Sequence, residues 1–206
     1  MTDYGALAAA LVLFVAAPLG AQEPADTLRQ RCDRITAVVE AGRRDTLEPY
    51  GLVYECGVRG AEALARSWGV WKRVTDRDAL VRLANTTRFL RDAAVFDALL
   101  AAAGDEAATP IARALALRNL RVMRKPGSQV SLENLEALAA AFARPNGVRD
   151  ADTYALCGYG VWVSDATSVE VRPISPGQLQ RLGALRHRLT DSPTAPPLVR
   201  AAAVCG

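Results

Sequence analysis

At 206 residues, half of them hydrophobic and with a formal charge of +3, the chain has the length for one domain or repeat array and the apolar content to bury a core. Aromatics make up only 6%, so the apolar share rests on small, helix-favouring Ala, Leu and Val, which argues against a sheet sandwich. Basic residues are nearly all Arg (Lys72 and Lys125 are the only lysines), and their scatter describes no polyanion-binding surface, so no nucleic-acid partner is expected.

Residues 5–17 form an unbroken apolar run of the length of a secretory h-region, and Pro18-Leu19-Gly20-Ala21 supplies the exit before polar Gln22. The run falls short of the roughly 20 residues a membrane span needs. It predicts a signal peptide over 1–21, cleaved after Ala21, and a secreted or periplasmic protein. Asp3, with no Lys or Arg ahead of the run, leaves a retained N-terminal anchor as the alternative, the one case in which stable membrane insertion is expected.

The rest, 22–206, reads as a single domain of short amphipathic helices. The stripe Leu28, Cys32, Ile35 and Val39 makes 26–41 a helix that stops at Gly42. Residues 45–56 follow, with Leu52, Val53 and Cys56 on one face. Residues 60–70 are Ala-rich, and Leu64, Trp68 and Trp71 recur at helical spacing. Thr75 caps a helix over 75–90 that presents Leu80, Leu83, Thr87 and Leu90. Residues 92–103 place Val95, Phe96, Leu99 and Leu100 together and stop at Gly104. Thr109-Pro110 joins a cap to a proline at the first helical position and opens a helix through Ile111, Leu115, Leu120 and Val122. Ser131 caps another, which carries Leu132, Leu135, Leu138 and Phe142 as far as Pro145-Asn146-Gly147.

Over 154–172 the pattern changes. Tyr159, Val161, Trp162 and Val163 precede a polar Ser164-Asp165-Ala166-Thr167 turn and then 168–171, which predicts a small β-hairpin inserted within 150–174. Helices resume at Ser175-Pro176, ahead of Leu179, Leu182, Leu185 and Leu189, and a last one covers 197–205.

Four cysteines in an exported chain suggest two disulfides, from three possible pairings. Cys32 and Cys56 lie on the apolar faces of consecutive helices, and midway between them falls Arg44, in the turn Gly42-Arg43-Arg44. Residues equidistant from the turn of an antiparallel helix hairpin sit opposite each other. Cys32 therefore pairs with Cys56 and, by elimination, Cys157 with Cys205. Buried free thiols are the alternative. Neither the Cys spacing nor the single His suits a zinc site, so no metal or cofactor is expected.

Helices this short need packed neighbours to persist. Antiparallel pairs recurring every 35–45 residues or so stack into a solenoid. The expected fold is thus all-α: a short α-solenoid with helical repeats over 26–143, the hairpin insertion, and a terminal helix pair over 175–206.

Specific residues support a family likeness. Leu189-Thr190-Asp191-Ser192-Pro193 followed by Leu198-Val199-Arg200-Ala201-Ala202-Ala203 resembles the HEAT repeat, in which an Asp near one helix end precedes a Val-Arg-x-x-Ala start to the next. Leu90-Arg91-Asp92 through Asp105 and Ile111-Ala112-Arg113-Ala114-Leu115 is similar, and Glu55-Cys56-Gly57-Val58-Arg59-Gly60-Ala61 shares the texture. The gap from Asp to Arg is wider here than in the family. The resemblance implies an α-solenoid whose curved face binds proteins or peptides, and it brings no catalytic residues.

Candidate chemistry is sparse. His187, the single histidine, lies off the leucine stripe between Arg186 and Arg188 and reads as solvated. It has no visible partner for acid–base work. The carboxylate pairs Asp76/Asp78 and Glu133/Glu136 fall in helix first turns, where negative charge opposes the dipole's positive end. Binding candidates are the aromatics Trp68 and Trp71, which would anchor a peptide if exposed; core packing is the commoner role at that spacing. Arg82, Arg88, Arg113, Arg118 and Arg121 are candidates to line a concave face, with an ordinary solvated face as the alternative. The functional expectation is an exported, non-enzymatic scaffold for an unknown protein or peptide, and the alternative is a cell-envelope hydrolase.

Overall fold

In the computed structural model, the described residues are 25–41, 56–81, 92–124, 128–129, 131–147, 150–157, 160–161 and 172–205. They form eight helices: α1 (Ala25–Glu40), α2 (Gly57–Trp71), α3 (Ala93–Gly104), α4 (Pro110–Arg124), α5 (Leu132–Phe142), α6 (Asp150–Cys157), α7 (Pro176–Asp191) and α8 (Pro197–Cys205). Residues 77–81 are also helical. The expected signal segment, the 42–55 hairpin turn and helix, and most of 75–90 lie outside the described residues.

Local chemistry sets the helix starts. Asp92 caps α3 by accepting from Ala94 N at 2.7 Å, and Ser131 caps α5 by accepting from Asn134 N at 3.1 Å. Ser175 and Gln178 exchange hydrogen bonds at 3.2 and 2.8 Å in a capping box, with Pro176 at the first position of α7. The cap before 77–81 is Asp76, which accepts from Asp78 N and Ala79 N, rather than Thr75. A carboxylate adds charge complementarity with the helix dipole that a hydroxyl lacks. Gly57 follows Cys56 at φ +58°, a left-handed turn that an L side chain adopts only with strain.

From α1 to α4 the helices stack in chain order, α2 on α1, α3 on α2 and α4 on α3. The order then breaks. The C-terminal helix α8 packs between α4 and α5, while α7 lies against α8 and α3, and α6 against α5 and α8. A terminal pair touching only its predecessor in sequence is therefore not what forms. The composition of α8 explains why it fits there: Val199, Ala201, Ala202 and Ala203 are all buried, and small side chains let two neighbours approach one helix closely. Trp71, Phe96, Leu64, Leu99, Leu117 and Leu120 are among the largest fully buried side chains of the core.

The predicted hairpin is corrected in part. Residues 154–157 belong to helix α6, and the short strand β2 (Gly160–Val161) pairs antiparallel with β1 (Ser128–Gln129), which comes from the α4–α5 connection. The switch has a covalent reason: Cys157, the last residue of α6, is bridged to Cys205 at the end of α8, and helical winding of 150–157 lets it pack on α5 beside that partner. The turn and second arm, 162–171, lie outside the described residues.

Both disulfides join the expected partners, Cys32 with Cys56 and Cys157 with Cys205, at Cα separations of 5.7 and 5.6 Å. Both separations are ordinary for the bond. The first ties the middle of α1 to the start of α2, and the second ties the ends of α6 and α8. Such bridges persist in oxidising compartments. Among the described residues, no helix is long and apolar enough to cross a membrane.

Candidate functional site

Among the described residues, those nominated from sequence do not assemble into an open face. Trp68 and Trp71 are core residues, 9% and 1% exposed, because the face of α2 that carries them is the one α3 covers. Arg82 and Arg88 lie outside the described residues. Arg113, Arg118 and Arg121 are buried rather than arrayed on a solvated surface. The cause is their helix. With α3 on one side and α8 on the other, every residue from Ala112 to Arg121 is covered.

Two of these arginines meet orphan carbonyls at helix ends, where four C=O groups lack intrahelical partners. Arg113 donates from Nε to Ala103 O, in the last turn of α3, at 3.1 Å. Arg121 donates from Nη1 to Cys205 O, the end of α8. Arg200 holds the place in its repeat that Arg113 holds in the other, three residues after the opening proline, yet it lies over the Phe142 ring, 5.4 Å from the centroid. The acidic residue of the first copy, Asp105, pairs with Lys72 and also accepts from Ala107 N at 2.8 Å. Together these hold its carboxyl below the usual carboxylate range, the Lys72 hydrogen bond contributing most. Thr109 fastens the same turn to the one before it, donating from Oγ1 to Val74 O at 2.9 Å and from N to Lys72 O at 2.9 Å.

Successive inter-helix turns thus stack at one end of the array, and a cleft opens there. It lies between the α3–α4 turn and the α7–α8 turn, with a volume of about 330 Å³. Its wall includes Glu106 of the α3–α4 turn and Arg113 of the first turn of α4 on one side, and Arg188 of the last turn of α7 with Ser192 and Thr194 of the α7–α8 turn on the other. Ser192 Oγ lies 3.1 Å from Thr194 Oγ1 and accepts from Ala195 N at 3.2 Å, which fixes both hydroxyls. Arg113 is only 4% exposed, and burial lowers its guanidinium from the ordinary range, with Glu106 and Asp105 opposing the shift through space.

A second, small space of about 10 Å³ lies beside Trp68 and Trp71, bordered by Leu99, Leu115 and Asn119, with room for about one water molecule. His187 lies at the surface. Its side chain is 84% exposed, with Nδ1 3.3 Å from Asp191 one turn on. Glu133 and Glu136 bind Arg77, at 3.1 and 3.2 Å, and so link α5 to the start of the 77–81 helix.

Sequence reading missed the cleft. Of its wall, only Arg113 is among the binding candidates drawn from sequence; Glu106, Arg188, Ser192 and Thr194 are not. The available signal was the match between 105–113 and 192–200, each a polar turn, a buried alanine (Ala108, Ala195), a proline and then an arginine three residues on. Among the described residues, no group of three or more His, Cys, Asp or Glu side chains is placed to hold a metal ion. No protein-family model, curated protein or solved structure matches the chain.

Proposed function

We propose that the chain is an exported, non-enzymatic scaffold of HEAT-like helical repeats that binds a protein or peptide. The observation that carries this reading is the chain-order stacking of α1 to α4, with successive turns fastened to one another at one edge. Such stacking builds an extended surface from repeated units, the usual route by which helical arrays bind other chains. In this reading the α7–α8 pair closes the array by folding back onto α4 and α5. Export is supported by the pairing of all four cysteines and by the signal-like 1–21 segment.

The test is affinity capture from the exported fraction after in-cell cross-linking. One or a few partners enriched in proportion to the bait are expected, and repeated recovery of the bait alone would contradict the reading. The hydrolase alternative has its own check, since replacement of His187 by alanine abolishing an activity of the purified protein would revive it.

A further inference from the structure

The cleft at the stacked turns holds a cation that the fold leaves underused. A guanidinium carries five N–H donors, and Arg113 spends one of them on Ala103 O. The neighbouring carboxylates Glu106 and Asp105 act on it only through space, and Asp105 is already committed to Lys72. Burial of a charge without a close counter-ion is costly, and an anion arriving in the cleft relieves that cost. Arg188 stands on the same wall. Its place in the last turn of α7 is also explained by the helix dipole, but the dipole says nothing about Arg113, which lies near the start of α4.

The remaining wall residues narrow the choice of anion. In the Ser192–Thr194 pair one hydroxyl donates to the other, which leaves one O–H to donate to an oxygen acceptor. Glu106 adds a negative charge, which disfavours a doubly charged phosphate more than a singly charged carboxylate. A planar carboxylate also matches the guanidinium fork. The volume lies at the low end of ligand pockets, enough for one or two residues rather than a long peptide.

We propose that this cleft captures the free C-terminal carboxylate of a peptide, with Arg113 and Arg188 as the carboxylate ligands and the free O–H of the Ser192–Thr194 pair as a supporting donor. The proposal deepens the scaffold reading and rests on it for the choice of a peptide as the source of the carboxylate.

The experiment follows amide and Arg Nε signals of the isotopically labelled, disulfide-intact chain by NMR. The probes are N-acetyl-trialanine, its C-terminal amide, N-acetylalanine and inorganic phosphate. The free acid is expected to shift the Arg113 Nε, Ser192 and Thr194 signals in a saturable way. The amide should bind at least tenfold more weakly. N-acetylalanine binding as well as the tripeptide would assign the site to small carboxylates, and so overturn the peptide part of the claim. Arg188→Ala, a change at an exposed position, should weaken the acid about tenfold, and Glu106→Gln should tighten it a few-fold. Equal shifts with acid and amide, no shifts with either, or a preference for phosphate would overturn the proposal. A captured partner whose binding is unaffected by Arg188→Ala and by added tripeptide would leave the scaffold reading standing while removing this one.

Discussion

Trp71 shows what single residues can and cannot reveal before the fold is seen. Its helical spacing with Leu64 and Trp68 identifies a shared face of α2, but spacing is silent on whether that face meets water or a neighbouring helix. The answer lies in α3, and Trp71 is 1% exposed. Trp71→Ala should therefore cost about 3–5 kcal/mol by chemical denaturation, the range for emptying an aromatic core site; a loss under about 1 kcal/mol would place the ring at the surface. The arginines of α4 were equally illegible, because a long charged side chain is normally read as solvated and here three are enclosed between the preceding helix α3 and the distant α8. Cysteine pairing was legible, since helical periodicity and distance from a turn depend only on local order. Asp105 gives a pH prediction at this scale. Its carboxyl is held low in the folded chain, so the Lys72 pair stabilises the fold above the ordinary carboxyl range of about 4 and is lost as acid titrates the folded form. Asp105→Asn should lower the melting temperature at neutral pH, with the deficit shrinking below about pH 4; a deficit independent of pH would mean that the ion pair does not contribute.

Helix starts were the most readable elements, because a cap is written in four consecutive residues. Ser131 and Ser175 cap as their sequence context implies. Replacing either by alanine should cost about 1 kcal/mol, measurable as a parallel shift of the urea midpoint; no shift would show that water replaces the cap without loss. The hairpin over 154–172 was misread at its first arm for a physical reason. Alternation of apolar residues begins only at Tyr159, whereas 150–157 carries an acidic first turn that favours a helix start and a cysteine whose partner sits on another helix. Covalent and packing constraints from α8 and α5 decide that segment, and neither is visible locally. The same absence of local information hid the cleft, since its two walls come from turns more than 80 residues apart in sequence.

For the molecule as a whole, the all-helical content could be anticipated from the succession of short amphipathic segments, while the placement of α8 between α4 and α5 could not. That placement depends on which of many Ala-rich surfaces fits most closely. The two disulfides bracket the assembly, one at each end of the described chain, and close loops of 24 and 48 residues. In the loop-entropy picture they contribute roughly 3.5 and 4 kcal/mol respectively. Replacing Cys157 and Cys205 together by serine should therefore destabilise the fold slightly more than replacing Cys32 and Cys56, as read by calorimetry; the reverse order would point to strain or residual structure outweighing loop length.

The account stands or falls on the chain folding in an oxidising compartment after export. Intact-mass spectrometry of the protein recovered from the exported fraction after expression of all 206 residues, with and without reductant, tests this most directly. The expected species begins at Gln22 and gains the mass of four hydrogens on reduction, two per bridge. A cell-retained chain still carrying residues 1–21, unchanged in mass on reduction and alkylated at all four cysteines without it, would contradict the account.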